Sequence, residues 1–321
     1  MKNSYLFAII FIAFTSCSKD DVPNENIQSK NENIEILSFS SFGKMDDKID
    51  EISMMKMEME KHTAQKYTSK HYPLNKSNDE NVILSDLKKY HADRLNDIYE
   101  IRKDLNFVSI QSIADEINSL KILDSNKYGE LLKKYEPFLK QTKYGVVTVF
   151  ENGTSDIINT EGEVLINGKS VDFKIPVSKS ETGKYVGDES IKEGQAALSR
   201  DWKFMIIYRA GREKHKDDFG RTFFKYFTEF TANYMHPTYG PILCPTTFSV
   251  TNSIAGFSQS GSGSNPFAEF AFSMQYPSGY GSSIRNRSGQ KWTAYQTEGG
   301  NIKGTFIGNG YTLNCDFKYT R

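Results

Sequence analysis

The chain offers few residues whose types and spacing could carry out catalysis or hold a metal. The strongest cluster is His215-Lys216-Asp217-Asp218, where an imidazole and two carboxylates could bind a divalent cation or move a proton. Lys214 and Lys216 would repel a cation, so we interpret the cluster as a solvated hairpin tip. The sequence has no G-x-S-x-G, H-E-x-x-H, phosphate-loop or C-x-x-C motif. We therefore predict no catalytic residue, no metal site and no cofactor.

Aromatic side chains are the other candidates, because an exposed ring can stack on a sugar or anchor a protein partner. Trp292 and Tyr295 are three residues apart in a presumed strand, so they point to opposite faces and one of them should reach solvent. Trp202 lies beside a presumed loop. These three residues are the predicted binding residues, and packing inside the fold is the alternative.

Cys244 and Cys315 are the two cysteines downstream of residue 17. Cys315 alternates with Leu313 and Phe317 on the apolar face of a predicted strand. In an oxidising compartment such a pair commonly forms a disulfide, which we predict here. Two buried free thiols, packing as small apolar side chains, are the alternative.

Cys17 follows an N-terminal segment of the signal-peptide type. A basic start precedes an apolar core, residues 6–14, that is too short to cross a bilayer. Phe14-Thr15-Ser16-Cys17 then resembles a bacterial lipobox, which implies that Cys17 is acylated and becomes the first residue of the mature protein. A secretory peptide with an incidental cysteine is the alternative.

The residues after Cys17 resemble the acidic tag of Bacteroidota lipoproteins that are displayed on the outer face of the outer membrane. The tag is Ser18-Lys19-Asp20-Asp21, and its alternative is the start of a solvated linker. From Val22 to about Glu35 almost no residue is apolar, so this stretch is predicted to be a disordered tether. We expect a lipid-anchored protein facing the cell exterior.

Composition excludes one class of partner. The 40 Lys and Arg residues balance 40 Asp and Glu residues, so no net field would concentrate nucleic acid. The 22 Phe and 18 Tyr residues favour β structure over a purely helical fold.

Apolar periodicity changes near Tyr144. Upstream, helical spacing predicts four helices, the second starting near Ser85 and the third and fourth following Ser109 and Asp124. The first carries Met45, Ile49, Ile52, Met55 and Met59 as its apolar stripe.

Downstream the period is two, with hairpin turns predicted at Asn152-Gly153 and Asn167-Gly168. In the strand at residues 222–234, Phe230 and Tyr234 share one face and Glu229 and Asn233 the other. The Gly- and Ser-rich residues 255–265 are predicted to form a loop.

The predicted fold class is α+β, an N-terminal helical region followed by a C-terminal antiparallel β-sandwich-like domain. The predicted divisions are a lipoprotein signal peptide at residues 1–16, the tether at 17–35, the helical region at 36–143 and the β-rich domain at 144–321. With the helical opening at residues 36–41 and the stretches 105–110 and 156–169, this layout resembles a group of uncharacterised Bacteroidota surface lipoproteins. The resemblance implies architecture and address but no activity.

The sequence therefore favours a surface-exposed, lipid-anchored lipoprotein that binds an extracellular glycan or protein without catalysis. Two alternatives remain. A hydrolase of extracellular polymer would need two carboxyl groups facing each other across a cleft. A structural subunit of an envelope complex would expose an apolar stripe on its helices.

Overall fold

Four α-helices occupy the N-terminal part of the described chain, and capping side chains start three of them. Asp79, Ser109 and Asp124 each accept hydrogen bonds from backbone N–H groups of the turn that they precede. The helix starts predicted after Ser109 and Asp124 are confirmed, whereas the second helix begins at Glu80, ahead of the predicted start near Ser85. The helices are α1 (Phe42–Thr68), α2 (Glu80–Leu105), α3 (Ile110–Leu123) and α4 (Ser125–Lys134).

The structure is a computed structural model that describes residues 35–68, 79–142, 145–150, 153–173, 192–258, 270–273, 279–291 and 296–319. Within these ranges, no helix has both the length and the apolar composition needed to cross a bilayer. The described helices and strands belong to one compact unit. The predicted lipidation residue Cys17, the predicted tag Ser18-Lys19-Asp20-Asp21, and the aromatic residues Trp292 and Tyr295 lie outside the described ranges.

The remaining elements are strands and two single 3₁₀ turns, Glu136–Phe138 and Thr154–Asp156. In chain order the strands are β1 (Ser38–Phe39), β2 (Leu139–Thr142), β3 (Gly145–Thr148), β4 (Leu165–Ile166), β5 (Lys169–Ser170), β6 (Lys192–Leu198), β7 (Phe204–Lys216), β8 (Thr222–His236), β9 (Gly240–Leu243), β10 (Thr247–Ser258), β11 (Phe270–Ser273), β12 (Gly279–Tyr280), β13 (Ser283–Lys291), β14 (Gln296–Gly308) and β15 (Tyr311–Tyr319). Of the described strand pairs, only β1 with β4 is parallel.

Two antiparallel sheets form a sandwich. The central sheet has the strand order β13-β8-β7-β6, with β9 paired to β8, and the outer sheet has the order β11-β10-β14-β15, with β12 paired to β10. Phe230 of the central sheet packs edge-on against Phe248 and Phe306 of the outer sheet, with ring centroids 4.9 Å apart in both pairs. The sandwich and the α+β fold class that the sequence predicts are therefore present.

A second core joins the helices to two small sheets. Ile49 of α1 and Ile113 and Ile117 of α3 pack with Val146 of β3 and Ile166 of β4. Here β4 and β5 form the hairpin predicted at Asn167-Gly168, and both turn residues have the positive φ that a tight two-residue hairpin requires. At the other predicted hairpin turn, Asn152-Gly153, Gly153 leads into the 3₁₀ turn at Thr154–Asp156 and not into a strand.

The loop predicted from Ala255 begins later than expected. Strand β10 continues to Ser258, because its backbone pairs with β14 on one side and β11 on the other. Two-sided pairing holds residues 255–257 in the sheet, and Ser258 pairs with β14 alone. The following residues, 259–269, lie outside the described ranges.

Candidate functional site

The long hairpin of β7 and β8 gives the central sheet two different faces, because successive side chains of a strand alternate. Phe230 and Tyr234 belong to the sandwich core, whereas Glu229 and Asn233 line a cavity on the opposite face. This division, predicted from the sequence, is confirmed. The helices cover the polar face.

A ladder of charged side chains crosses three strands on this polar face. Strand register places Arg209 of β7 opposite Glu229 of β8, and Glu229 opposite Arg285 of β13. Arg209 donates a hydrogen bond to Glu229 Oε1, and Arg285 Nε donates to Glu229 Oε2 at 2.8 Å. Arg285 Nη1 also donates to Glu213 Oε1 at 2.6 Å. The Glu229 carboxylate thus pairs with two arginines. Charged groups that have been removed from water need partners of opposite charge, and these contacts supply them.

Glu229 is the carboxylate of this ladder and is ionised near neutral pH. It is only 5% exposed, and burial by itself would raise its pKa, but the charges of Arg209 and Arg285 outweigh burial and lower the pKa to about 2. Glu229 therefore cannot supply a proton near neutral pH.

The ladder forms one wall of a cavity of about 360 Å³ between the helical layer and the central sheet. Lys56 and Glu60 of α1 and His91 and Arg94 of α2 contribute to the opposite wall. Met57 also lines the cavity and is 44% exposed, so the cavity reaches solvent beside it. The volume lies within the roughly 300 to 1,000 Å³ of sites for small ligands.

Glu60 holds the helical wall against the turn before β13. Its Oε1 accepts hydrogen bonds from the Tyr90 hydroxyl at 2.5 Å, the Ser282 hydroxyl at 2.6 Å and the Ser282 backbone N–H at 2.9 Å. Its Oε2 accepts from Arg94 Nε at 2.8 Å. Burial opposes ionisation of Glu60, but the Arg94 charge and these hydrogen bonds outweigh it and lower the pKa of Glu60. The three hydrogen bonds from Tyr90 and Ser282 therefore fix the Glu60 carboxylate, and this carboxylate in turn fixes the position of Arg94.

Lys56 is paired in a similar way on the side of α3. Its ammonium group lies 2.7 Å from Asp115 Oδ2 and 3.1 Å from Asp156 Oδ1. Burial disfavours the charge of Asp115, but Lys56 outweighs this and lowers the pKa of the carboxyl. This pair also stays ionised.

His91 and Arg94 each retain one polar atom without a hydrogen-bond partner among the described residues: His91 Nδ1 and Arg94 Nη1. His91 is 2% exposed, and its Nε2 lies 3.0 Å from the carbonyl oxygen of Leu243. Because a carbonyl oxygen can only accept, Nε2 carries the hydrogen and Nδ1 is left as an acceptor. Residues three apart on a helix lie on one face, and both His91 and Arg94 line the cavity.

The chemistry open to the cavity is narrow. Burial and the Arg94 charge lower the pKa of His91 to about 3, so the ring is neutral and is a weak base near neutral pH. Asp97 is the exception among the shifted carboxyls that line the cavity, because burial raises its pKa despite a 2.5 Å hydrogen bond from the Thr63 hydroxyl. Among the described residues, no three His, Cys, Asp or Glu side chains are grouped so that they could hold a metal ion.

The predicted disulfide is wrong in this structure. Cys244 and Cys315 are free thiols buried in the sandwich core, where they pack as small apolar side chains. Burial raises the pKa of the Cys315 thiol to about 12 and also raises the pKa of Cys244. Both thiols are therefore protonated and unreactive near neutral pH.

The interpretation of His215 as part of a solvated hairpin tip is also wrong. His215 is 6% exposed because α1 covers the end of β7, and its Nδ1 lies 3.1 Å from Asp46 Oδ1 and its Nε2 3.5 Å from Glu213 Oε2. The Asp218 carboxylate accepts the Gly43 N–H at 2.6 Å at the start of α1. His215 and Asp218 thus hold α1 against the sheet, while Asp217 accepts hydrogen bonds within the hairpin turn.

Trp202 is separate from the cavity. It lies in the turn between β6 and β7, is 71% exposed, and its backbone N–H donates to the Ser199 carbonyl at 2.9 Å. The structure thus leaves an exposed indole at this turn, and its predicted binding role stays a prediction. Sequence reasoning singled out neither Glu60 nor Arg94 as a cavity residue, although Arg94 has the spacing that puts it on one helix face with His91.

Comparison with known proteins gives little guidance. No protein-family model matches the chain, and no curated protein matches it. A crystal structure of a DUF4848 family protein from Bacteroides thetaiotaomicron is similar at a TM-score of 0.28 and 11% sequence identity, with 86% of this chain and 92% of that protein covered. A similarity of this size assigns neither a family nor a function.

Proposed function

We propose that the protein is a lipid-anchored outer-membrane lipoprotein that faces the cell exterior and binds an extracellular ligand without catalysis. The ligand occupies the cavity between the helices and the central sheet. The observation that carries this proposal is the cavity of about 360 Å³, whose lining carries ten charged side chains beside apolar ones.

The charges of the cavity support binding over turnover. A hydrolase of the two-carboxyl type needs one carboxylic acid that keeps its proton near neutral pH. Glu60, Asp115 and Glu229 have lowered pKa values and act as ion-pair partners. Asp97, with its raised pKa, is the specific observation that favours the hydrolase as second candidate.

Binding and turnover separate in one experiment. The protein without its anchor, made by replacing Cys17, is applied to an array of extracellular glycans and proteins, and bound material is examined by mass spectrometry. We expect retention of an intact ligand. Release of cleaved product that Asp97→Asn abolishes would favour the hydrolase, and no retention of any arrayed molecule would contradict both candidates.

The anchor rests on the lipobox-like residues that end at Cys17 and has its own test. Cys17→Ala should release the protein from the membrane fraction. Alanine at Lys19, Asp20 and Asp21 should leave it anchored but protect it from protease added to intact cells. Tight membrane association of Cys17→Ala would remove the lipoprotein proposal, and unchanged protease sensitivity would remove the surface-display proposal.

A further inference from the structure

We propose that His215 is a proton-operated switch: its charged ring holds the start of α1 on the central sheet, and its neutral ring releases it. The switch is a property of the fold and does not depend on a ligand in the cavity. It is built from the two carboxylates beside the ring and from the chain of charges that continues behind them.

The His215 ring lies between two buried carboxylates. Its Nδ1 is 3.1 Å from Asp46 Oδ1 of α1, and its Nε2 is 3.5 Å from Glu213 Oε2 of β7. Phe223 of β8 stacks on the ring, with the centroids 5.3 Å apart. A neutral imidazole has one hydrogen and can donate to one carboxylate, whereas the imidazolium has a hydrogen for each. Loss of the proton would therefore leave a nitrogen lone pair facing a carboxylate oxygen.

Glu213 connects this ring to the ladder of the central sheet. Arg285 Nη1 donates to Glu213 Oε1 at 2.6 Å, and Arg285 Nη2 lies 2.6 Å from Glu229 Oε2. The Arg285 guanidinium lies over the Phe227 ring, 4.3 Å from its centroid, and Gly211, the strand partner of Phe227, has no side chain to obstruct it. The charged groups therefore follow one another in the order Asp46, His215, Glu213, Arg285, Glu229 and Arg209.

The signs of charge alternate along this chain, and they cancel only when His215 is protonated. Three carboxylates then face three cations, whereas a neutral ring leaves one negative charge in excess. No side chain of the six is more than 23% exposed, so water compensates poorly for the missing charge. Burial alone would lower the pKa of His215, but Asp46 and Glu213 outweigh burial and raise it. The contribution of the ring is therefore present at low pH and is lost as the pH rises through this raised pKa.

Other charged groups hold the start of α1 through separate contacts with β8 and the hairpin turn. These contacts are Lys225 with Asp50 at 3.2 Å, Asp218 with the Gly43 N–H at 2.6 Å, and Lys216 with the Phe42 ring at 5.5 Å. None of them involves a histidine, the side chain that ordinarily titrates near neutral pH. A pH-dependent change at this contact should therefore follow the His215 ring.

The two ends of α1 are held differently, which provides an internal control. Asp46 lies near the start of the helix, whereas Glu60, two turns before its end, accepts four hydrogen bonds from α2 and the turn before β13. Loss of the proton at His215 should therefore loosen residues 42–52 and leave residues 57–68 in place.

Hydrogen exchange and NMR on the full chain without its anchor (Cys17→Ala) measure the release and the proton together. Exchange rates are divided by the intrinsic rate at each pH, so that only changes in protection remain. Between about pH 6 and about pH 9, protection of residues 42–52 should fall about tenfold, while residues 57–68 keep theirs. The fall should follow the titration of the His215 ring, observed directly by NMR.

Asp46→Asn tests whether the ring must be charged. The asparagine amide can donate to Nδ1 of a neutral ring, and the Nε2–H of that ring can donate to Glu213, so the contact should persist at both pH values. The pKa of His215 should also be lower than in the wild type, because one neighbouring negative charge is lost. Asp47→Asn is the matched control, since it makes the same change in the same turn on a side chain that is 72% exposed, and it should behave as the wild type.

Three results would overturn the inference. A His215 ring that is already neutral at about pH 6, or still charged at about pH 9, would show that it is not a switch in this range. Constant protection of residues 42–52 while the ring titrates would show that the contact does not need the proton. Equal pH dependence in Asp46→Asn and Asp47→Asn would show that the ring's charge does not serve Asp46. The first two measurements use the wild-type ring and need no folded variant, and none of the three bears on the binding function.

Discussion

The two faces of the central sheet are both buried, yet they are built from opposite kinds of side chain. The face toward the outer sheet is aromatic and aliphatic, with Phe230 between Phe248 and Phe306. The face toward the helices carries the ladder of Arg209, Glu229 and Arg285. Burial of apolar area holds the first face together and tolerates small shifts in position. The second face is held by charge pairs, which are stable only while their geometry is kept. Burial itself therefore stabilises this face less, and its main role is to position the cavity wall.

The largest expected effect lies on the apolar face. Phe230→Ala should lower the free energy of unfolding by about 4 kcal/mol, because it removes a fully buried ring and leaves a cavity between the sheets. Chemical denaturation measures this, with Phe219→Ala as the control because Phe219 is 84% exposed. Similar losses in both variants would contradict the assignment of the sandwich as the main core.

The next effect lies on the polar face. Glu229→Gln should cost about 3 kcal/mol, because it removes the carboxylate that the two ladder arginines share while keeping the shape of the side chain. Glu130→Gln on α4 is the matched exposed control.

The same pair of variants sharpens the comparison through pH. The pKa of Glu229 is lowered from 4.5 to about 2, so its stabilisation is present above pH 4.5 and is lost as the pH falls toward 2. The stability difference between wild type and Glu229→Gln should shrink across this range, whereas Phe230→Ala should keep a constant deficit. A difference that is independent of pH would show that the ladder does not act through ionisation.

A smaller effect of opposite pH sign is expected at His215. Burial lowers its pKa, but the hydrogen bonds and charges of Asp46 and Glu213 outweigh burial and raise the pKa above 6.5. The charged ring therefore stabilises the contact of α1 with the sheet below pH 6.5, and this contribution is lost as the pH rises through the raised pKa. Thermal unfolding of His215→Gln against the exposed control His62→Gln should show a deficit that shrinks at alkaline pH, and a growing deficit would be the contrary result.

The smallest effect is expected outside both faces, at Trp202. Its φ of +65° is unfavourable for a residue with a side chain, so Trp202→Gly should gain about 0.5 to 1 kcal/mol in unfolding free energy. Because Trp202 does not line the cavity, binding of a ligand in the cavity should be unchanged. Weaker ligand binding in this variant would place the ligand at the turn instead.

Features that depend on neighbouring residues could be predicted from the sequence. Ser109 and Asp124 cap helices because a short polar side chain satisfies N–H groups within the next turn, and Asn167-Gly168 forms a hairpin because both residues adopt positive φ. The start of α2 was misplaced because Asp79 lies in a polar segment whose composition is typical of a loop.

Features that depend on distant contacts could not be predicted. His215 is flanked by lysines and aspartates, and only the packing of α1 against β7 removes it from solvent. Cys244 and Cys315 share one core, but co-burial does not supply the geometry that a disulfide needs. The cavity is lined by helices and strands that are far apart in sequence. A local sequence pattern can therefore identify its polar residues but cannot show that they come together in the fold.

The hydrogen bond between Glu60 and the Ser282 hydroxyl joins residues 222 positions apart, and that between Gly43 and Asp218 spans 175. The β7–β8 hairpin closes through a five-residue turn, residues 217–221, whereas the helices can dock only after a long loop has closed. Folding should therefore assemble the hairpin early and the cavity late. Ser282→Ala should accelerate unfolding and leave the refolding rate nearly unchanged, while substitutions within the hairpin should slow refolding. Stopped-flow kinetics that showed Ser282→Ala slowing refolding would reverse this order.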